Sequence, residues 1–185
     1  MRAVAFAALL AALLASGCGP KAITAGSRPF PSERAVFVDS SGKAVPDLPV
    51  SGESFRLVVL DFPWCPACGE VWKAVGSASA AAAPGSFRVY RILFDREIGI
   101  SAEGRRETDP MRPAPPPGLD VETLTAIPGA FMEEYRVRHV PVLLLIERDG
   151  KVARRWIGYS TKLPEELAFE FRKRAPAPSS LPPGT

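Results

Sequence analysis

A chain of 185 residues, 46% of them hydrophobic, is long enough for one domain with a real core plus tails. Its net charge of +3 is too mild to argue for a nucleic-acid partner. There is one histidine, His139, which excludes any mechanism that needs two and leaves a Cys/His zinc cluster short of ligands. His139 reads as a strand-edge residue, and the arginine pairs at 105–106 and 154–155 read as a solvated face.

Residues 1–17 carry Arg2, then an apolar run from Ala3 to Ala15, then Ser16 and Gly17, and Cys18 follows. This is the plan of a signal peptide, and the run is short for a membrane span. The ending L-A-S-G-C resembles a bacterial lipobox. That resemblance implies cleavage before Cys18, lipid attachment to its sulfur and anchoring in the bilayer, where each buried acyl CH₂ adds about 0.8 kcal/mol. The alternative is an ordinary signal peptide that leaves Cys18 as an odd free thiol. Export places the two remaining cysteines in an oxidising compartment.

Residues 18–34 are rich in Gly, Pro and Ser and read as a tether. The folded domain is expected over 35–174, and 175–185 reads as a disordered tail. Within the domain, AVFVDSSGKAV suggests a hairpin around Ser41-Gly42. Leu57–Phe62 is an apolar run of strand length. After Cys68 the period changes: Val71, Trp72, Val75 and Ala78 recur at helical spacing, and an alanine-rich stretch continues to Ala83 before Pro84-Gly85. Phe87–Phe94 and Val140–Glu147 read as further strands, with Asp149-Gly150 turning into a strand over Val152–Gly158. Pro164 opens a last helix that carries Leu167 and Phe171 on one face. Residues 95–127 form an insert with PMRPAPPPG at its centre, which either overhangs the site or is solvated. The order of elements predicts an α/β fold around a central mixed β-sheet.

The stretch W-C-P-A-C, Trp64–Cys68, places two of three cysteines three positions apart, between a strand and a helix. Such a pair can clamp a metal, staple a fold or carry electrons. As a staple it closes a tiny loop and constrains the unfolded chain little. As a metal clamp it could hold Cu(I) through two thiolates, although none of the methionines Met1, Met111 and Met132 neighbours it. As a redox pair it gains from the helix start, whose unpaired N–H groups and partial positive charge stabilise a thiolate. A stabilised thiolate is more abundant but less nucleophilic, so the larger effect is on redox poise. Cys65 at the helix start is the expected nucleophile, and Cys68, one turn further in, the resolving cysteine. Pro66 suits the first helical position, where a missing N–H costs little.

These residues together resemble the thioredoxin superfamily, and within it the exported, membrane-tethered TlpA/ResA-like branch. The resemblance rests on W-C-P-A-C after a buried strand, on Val140-Pro141 where the family keeps a cis-proline, on the D-G-K-V turn, on Gly158, and on F-x-D-x-x-G-K-x-V at Phe37–Val45. It implies a thioredoxin-like fold with an added N-terminal β-hairpin and helices flanking the sheet. It also implies a thiol–disulfide oxidoreductase that needs no cofactor and acts as a reductant on extracytoplasmic proteins bearing disulfides or thiols. Electrons would come from a membrane thiol transporter, and the protein would sit lipid-anchored on the periplasmic side of the cell envelope. Trp64, Pro66, Val140 and Pro141 are then the candidate substrate contacts, Val140 through its backbone. A copper-handling lipoprotein on the same fold is the alternative. Asp61 stands two residues closer to the first cysteine than the family spacing, which leaves it unassigned to the family's buried acid.

Overall fold

The computed structural model describes residues 23–30, 35–49, 52–62, 65–94, 113–135, 137 and 139–175. The expected signal peptide, Cys18, Trp64 and the tail beyond residue 175 lie outside the described residues. Seven strands run in the order β1 (Phe37–Val38), β2 (Ala44–Val45), β3 (Phe55–Asp61), β4 (Phe87–Leu93), β5 (Val121–Ala126), β6 (Val142–Glu147) and β7 (Val152–Ile157). Among the described residues three helices accompany them: α1 (Pro66–Ser79), α2 (Pro128–Tyr135) and α3 (Leu163–Arg174).

The strands form one mixed sheet in the spatial order β2-β1-β5-β4-β3-β6-β7. β3 pairs parallel with β4 and antiparallel with β6, and β4 pairs parallel with β5. All seven residues of β3 are buried because strands flank it and both its faces are covered. Alternation sorts its side chains. Phe55, Leu57 and Val59 join α1 and α3 on one face, while Val58 and Leu60 join Phe37, Phe131 and Tyr135 on the other. This is the thioredoxin-like α/β architecture, with a mixed sheet between helices and extra strands at the N-terminal side.

The added hairpin, β1–β2, turns on Asp39, whose Oδ1 accepts from the Ser41 N–H at 2.8 Å and the Lys43 N–H at 3.0 Å. Gly42, at φ 85°, supplies the left-handed residue this turn needs. β1 then adds to the sheet antiparallel to β5, with Phe37 opposite Ala126.

Several boundaries differ from the sequence reading. α1 ends at Ser79, and the chain to Ala83 continues in tight turns, with Ala81 N–H donating to Ala78 O at 2.9 Å and Ala82 N–H to Ser79 O at 3.0 Å. β6 begins at Val142, after the proline. The stretch read as insert, 95–127, contains β5, which completes the sheet between β4 and β1, and the unanticipated α2 follows it. The stretch read as tether packs over Ile23–Phe30: Ile23 and Phe30 are buried, Gly26 N–H donates to Val152 O at 2.8 Å, and Tyr135 donates to Pro29 O at 2.6 Å.

Candidate active site

α1 begins where β3 leaves the middle of the sheet, so its N-terminus is presented at a strand end. Cys65 caps the helix in an extended conformation and Pro66 occupies its first turn. Cys65 N–H donates to Phe62 O at 3.2 Å, and Cys68 N–H donates to Cys65 O at 3.1 Å. The two sulfurs are joined in a disulfide with Cα atoms 5.4 Å apart. Cys68 is fully buried and Cys65 retains 5% exposure, so the slight accessibility lies on the residue at the helix start. Trp64 lies outside the described residues.

The Val140–Pro141 peptide is cis. Gly158 N–H donates to Pro141 O at 2.8 Å, tying the start of β6 to the end of β7. Val140 is half-buried and His139 before it is exposed. Trp72 and Trp156 are core residues. Arg154 and Arg155 are engaged and not merely solvated: Arg154 pairs with Glu166 at 2.6 Å and Glu170 at 3.1 Å, and Arg155 donates to Ile23 O at 2.8 Å.

Two residues of the site were not assigned from sequence. Despite the short spacing to Cys65, Asp61 is a fully buried acid at the end of β3. Its Oδ2 accepts from Arg91 Nε at 2.7 Å and from Trp72 Nε1 at 3.2 Å, while its Oδ1 is buried with no hydrogen-bond partner among the described residues. Arg91, on β4, is the second. Its guanidinium makes a buried ion pair with Asp61 and lies 5.5 Å from the centre of the Trp72 ring. A signal for it was present. Phe87, Val89 and Arg91 alternate onto the face of β4 that packs on α1, so a charge there lies beside Asp61 on the adjoining strand. Trp72 is one helical turn from Cys68 on the same face, which places this charged cluster behind the disulfide.

The described end of the insert lies along α1. Pro113 approaches Gly69, and Pro116 approaches Gly76. Between this strap, Pro113–Pro117, and α1 runs an open groove of about 590 Å³ with a largely apolar lining. Among the described residues, no group of three or more His, Cys, Asp or Glu side chains is placed to hold a metal ion. No described helix is long and apolar enough to cross a membrane.

No family model and no curated protein matches the chain. Solved structures do. A provisionally named thiol:disulfide interchange protein DsbE from Chlorobium tepidum matches with a TM-score of 0.58 at 19% identity, over 83% of this chain and 99% of that one. An uncharacterized thioredoxin-like protein from Porphyromonas gingivalis matches at 0.55 and 18%, over 78% and 91%. The thioredoxin domain of a thiol-disulfide oxidoreductase from Bacteroides vulgatus matches at 0.53 and 17%, over 82% and 98%. At these identities the likeness is one of fold. With a CxxC disulfide at the first helix and a cis-proline before β6, the chain has the thioredoxin-like fold.

Proposed function

We propose that the protein is a thiol–disulfide oxidoreductase that exchanges disulfides with extracytoplasmic proteins through Cys65 and Cys68. The observation that carries this reading is the Cys65–Cys68 disulfide capping α1, with its slight exposure on Cys65. In the reduced protein the Cys65 thiolate attacks one sulfur of a substrate disulfide. A mixed disulfide forms and the substrate's other sulfur leaves as a thiolate, which takes up a proton. Cys68, deprotonated, then attacks the Cys65 sulfur. The substrate leaves as a dithiol with two electrons gained, and Cys65–Cys68 is left oxidised. A thiol donor returns the pair to its reduced state, and a membrane thiol transporter is the donor in keeping with an exported reductant.

Val140 supplies backbone groups beside the cis-proline that an extended substrate segment can pair with, and Trp64 and Pro66, the sequence neighbours of Cys65, are the remaining candidate contacts. Cys18 carries the lipid that holds the protein on the periplasmic side of the envelope. The neighbours named for thiol–disulfide chemistry in C. tepidum and B. vulgatus support the class of reaction.

The test is trapping in the native envelope with Cys68→Ser. Mixed disulfides through Cys65 should accumulate and disappear in Cys65→Ser/Cys68→Ser. If no protein is captured, and the wild-type thiol count does not change across a graded glutathione series, the exchange reading fails. Copper titration of the reduced protein against the double serine variant then asks whether the thiols serve a metal instead.

A further inference from the structure

Arg91 holds two parts of the molecule at once. From β4 its Nε donates to Asp61 Oδ2 at 2.7 Å, and its Nη2 donates to the Pro113 carbonyl at 2.7 Å. The first contact is with the carboxylate at the end of β3, four residues before Cys65. The second is with the strap that lies on α1. The Arg91 side chain is 8% exposed and that of Asp61 is fully buried, so neither partner is replaced by water without cost. The strap is in turn seated by the helix surface. Gly69 and Gly76 stand on one face of α1, seven residues apart, opposite Pro113 and Pro116. A Cβ built at Gly76 falls 2.7 Å from Pro116 Cγ and 3.0 Å from Pro116 Cβ, closer than such atoms approach. Only glycine lets the proline ring sit so low on the helix.

Resting on the exchange reading above, we infer that Arg91 is a positioning residue coupling the Pro113–Pro117 strap to the Cys65–Cys68 pair, so that seating the strap on α1 sets the pair's thiol–disulfide equilibrium. Contacts run from Pro116 on Gly76 and Pro113 O on Arg91 to Arg91 on Asp61 and Trp72, and Trp72 stands one helical turn from Cys68 on the same face of α1. Reducing the disulfide exposes the thiols to whatever charge balance this cluster holds. With Arg91 seated, the Asp61 negative charge is offset. With Arg91 displaced, an unbalanced negative charge behind Cys68 disfavours a second anion and so favours the disulfide. The strap thus trims the redox poise from the side of α1 away from the cis-proline.

Gly76→Ala is the discriminating variant. It lies two turns beyond Cys68, alanine favours a helix over glycine, and the added methyl disturbs the strap contact. Gly129→Ala on α2, where a Cβ meets nothing within 4 Å, is the control. The full chain is equilibrated with reduced and oxidised glutathione, and the Cys65–Cys68 constant is read from trapped thiols. Arg91→Met should move the constant toward the disulfide by about tenfold, equivalent to about 30 mV for a two-electron couple. Gly76→Ala should move it the same way by roughly threefold, through the displaced charge. It should add nothing in the Arg91→Met background, and Gly129→Ala should change nothing. The inference is overturned if Gly76→Ala stays within twofold of wild type, or if its effect and that of Arg91→Met simply add. Should Arg91→Met not fold, the comparison of Gly76→Ala with Gly129→Ala still decides. A wild-type pair that does not titrate at all defeats the exchange reading itself.

Discussion

Gly158 and Pro141 are joined by a 2.8 Å hydrogen bond from the Gly158 N–H to the Pro141 carbonyl, across the ends of the last two strands. Gly158 makes this bond at φ +76°, and a Cβ there would meet nothing within 4 Å. The cost of a side chain at 158 is therefore one of backbone alone. Gly158→Ala should lose about 1 kcal/mol, and Gly158→Asn less, because asparagine tolerates the left-handed region. Urea midpoints measured at constant slope check both; equal stability of alanine and glycine would show that the turn relaxes away from the bond.

Phe171 anchors α3 to the sheet. It is fully buried, with ring centres 5.3 Å from Phe55 and 4.9 Å from Phe87. Phe171→Ala should cost about 3–5 kcal/mol, the range for removing a large aromatic from a packed core. Phe171→Leu should cost much less. Chemical denaturation of the oxidised protein gives the difference.

Glu170 should impose an acid limit on stability. Burial alone would raise its carboxyl, but hydrogen bonds from Arg174 and Arg154 overcome this and hold it below its ordinary value of 4.5. A folded value below the unfolded one means that ionised Glu170 contributes stability above that ordinary value and loses it as pH falls through the folded value. Glu170→Gln should therefore be less stable than wild type by about 1 kcal/mol at pH 7. The gap should narrow as pH falls below 4.5. Melting temperatures of both proteins across this range test it.

Tyr90 should do the same at the alkaline end. Burial pushes its phenol up to about 12, with Glu122 and Glu53 adding to the effect. Its hydroxyl donates to the Pro49 carbonyl. Since the folded value lies above the ordinary 10.0, the protonated phenol stabilises the fold below pH 10, and this contribution is lost as pH rises toward 12. Tyr90→Phe should cost about 1 kcal/mol at pH 7 by leaving that carbonyl unpaired. It should also flatten the decline between pH 10 and 12. The difference in phenolate absorbance between wild type and Tyr90→Phe shows whether Tyr90 ionises at about 12.

The parts legible in the sequence were those where one local pattern suffices. An apolar run buried on both faces announced β3 and β6, and a CxxC between strand and helix announced the redox pair. What escaped depended on partners distant in the chain. β5 reads Val-Glu-Thr-Leu-Thr-Ala, half polar and preceded by prolines, and it is a strand because β4 and β1 flank it. α2 has eight residues beginning Pro-Gly, too few turns to display a period. Ile23 and Phe30 sit in a stretch whose Gly, Pro and Ser content suggested a tether, yet two apolar side chains and a few backbone bonds to β7 are enough to fasten it. Arg91 could have been found by following alternation on β4 to Asp61 on the next strand. Its bond to Pro113 could not, because nothing local places that proline on the helix.

On the proposal that Cys18 is lipidated, the fastening of Ile23 bears on how the domain would meet a membrane. From Cys18 to Ile23 there are five residue steps, at most about 18 Å when fully drawn out. An acyl group on Cys18 would then hold Ile23, whose carbonyl accepts from Arg155, close to the headgroups. So short a leash would give little vertical reach. Clients would have to come to the membrane surface, and encounters would be a two-dimensional search by drifting neighbours in the same leaflet.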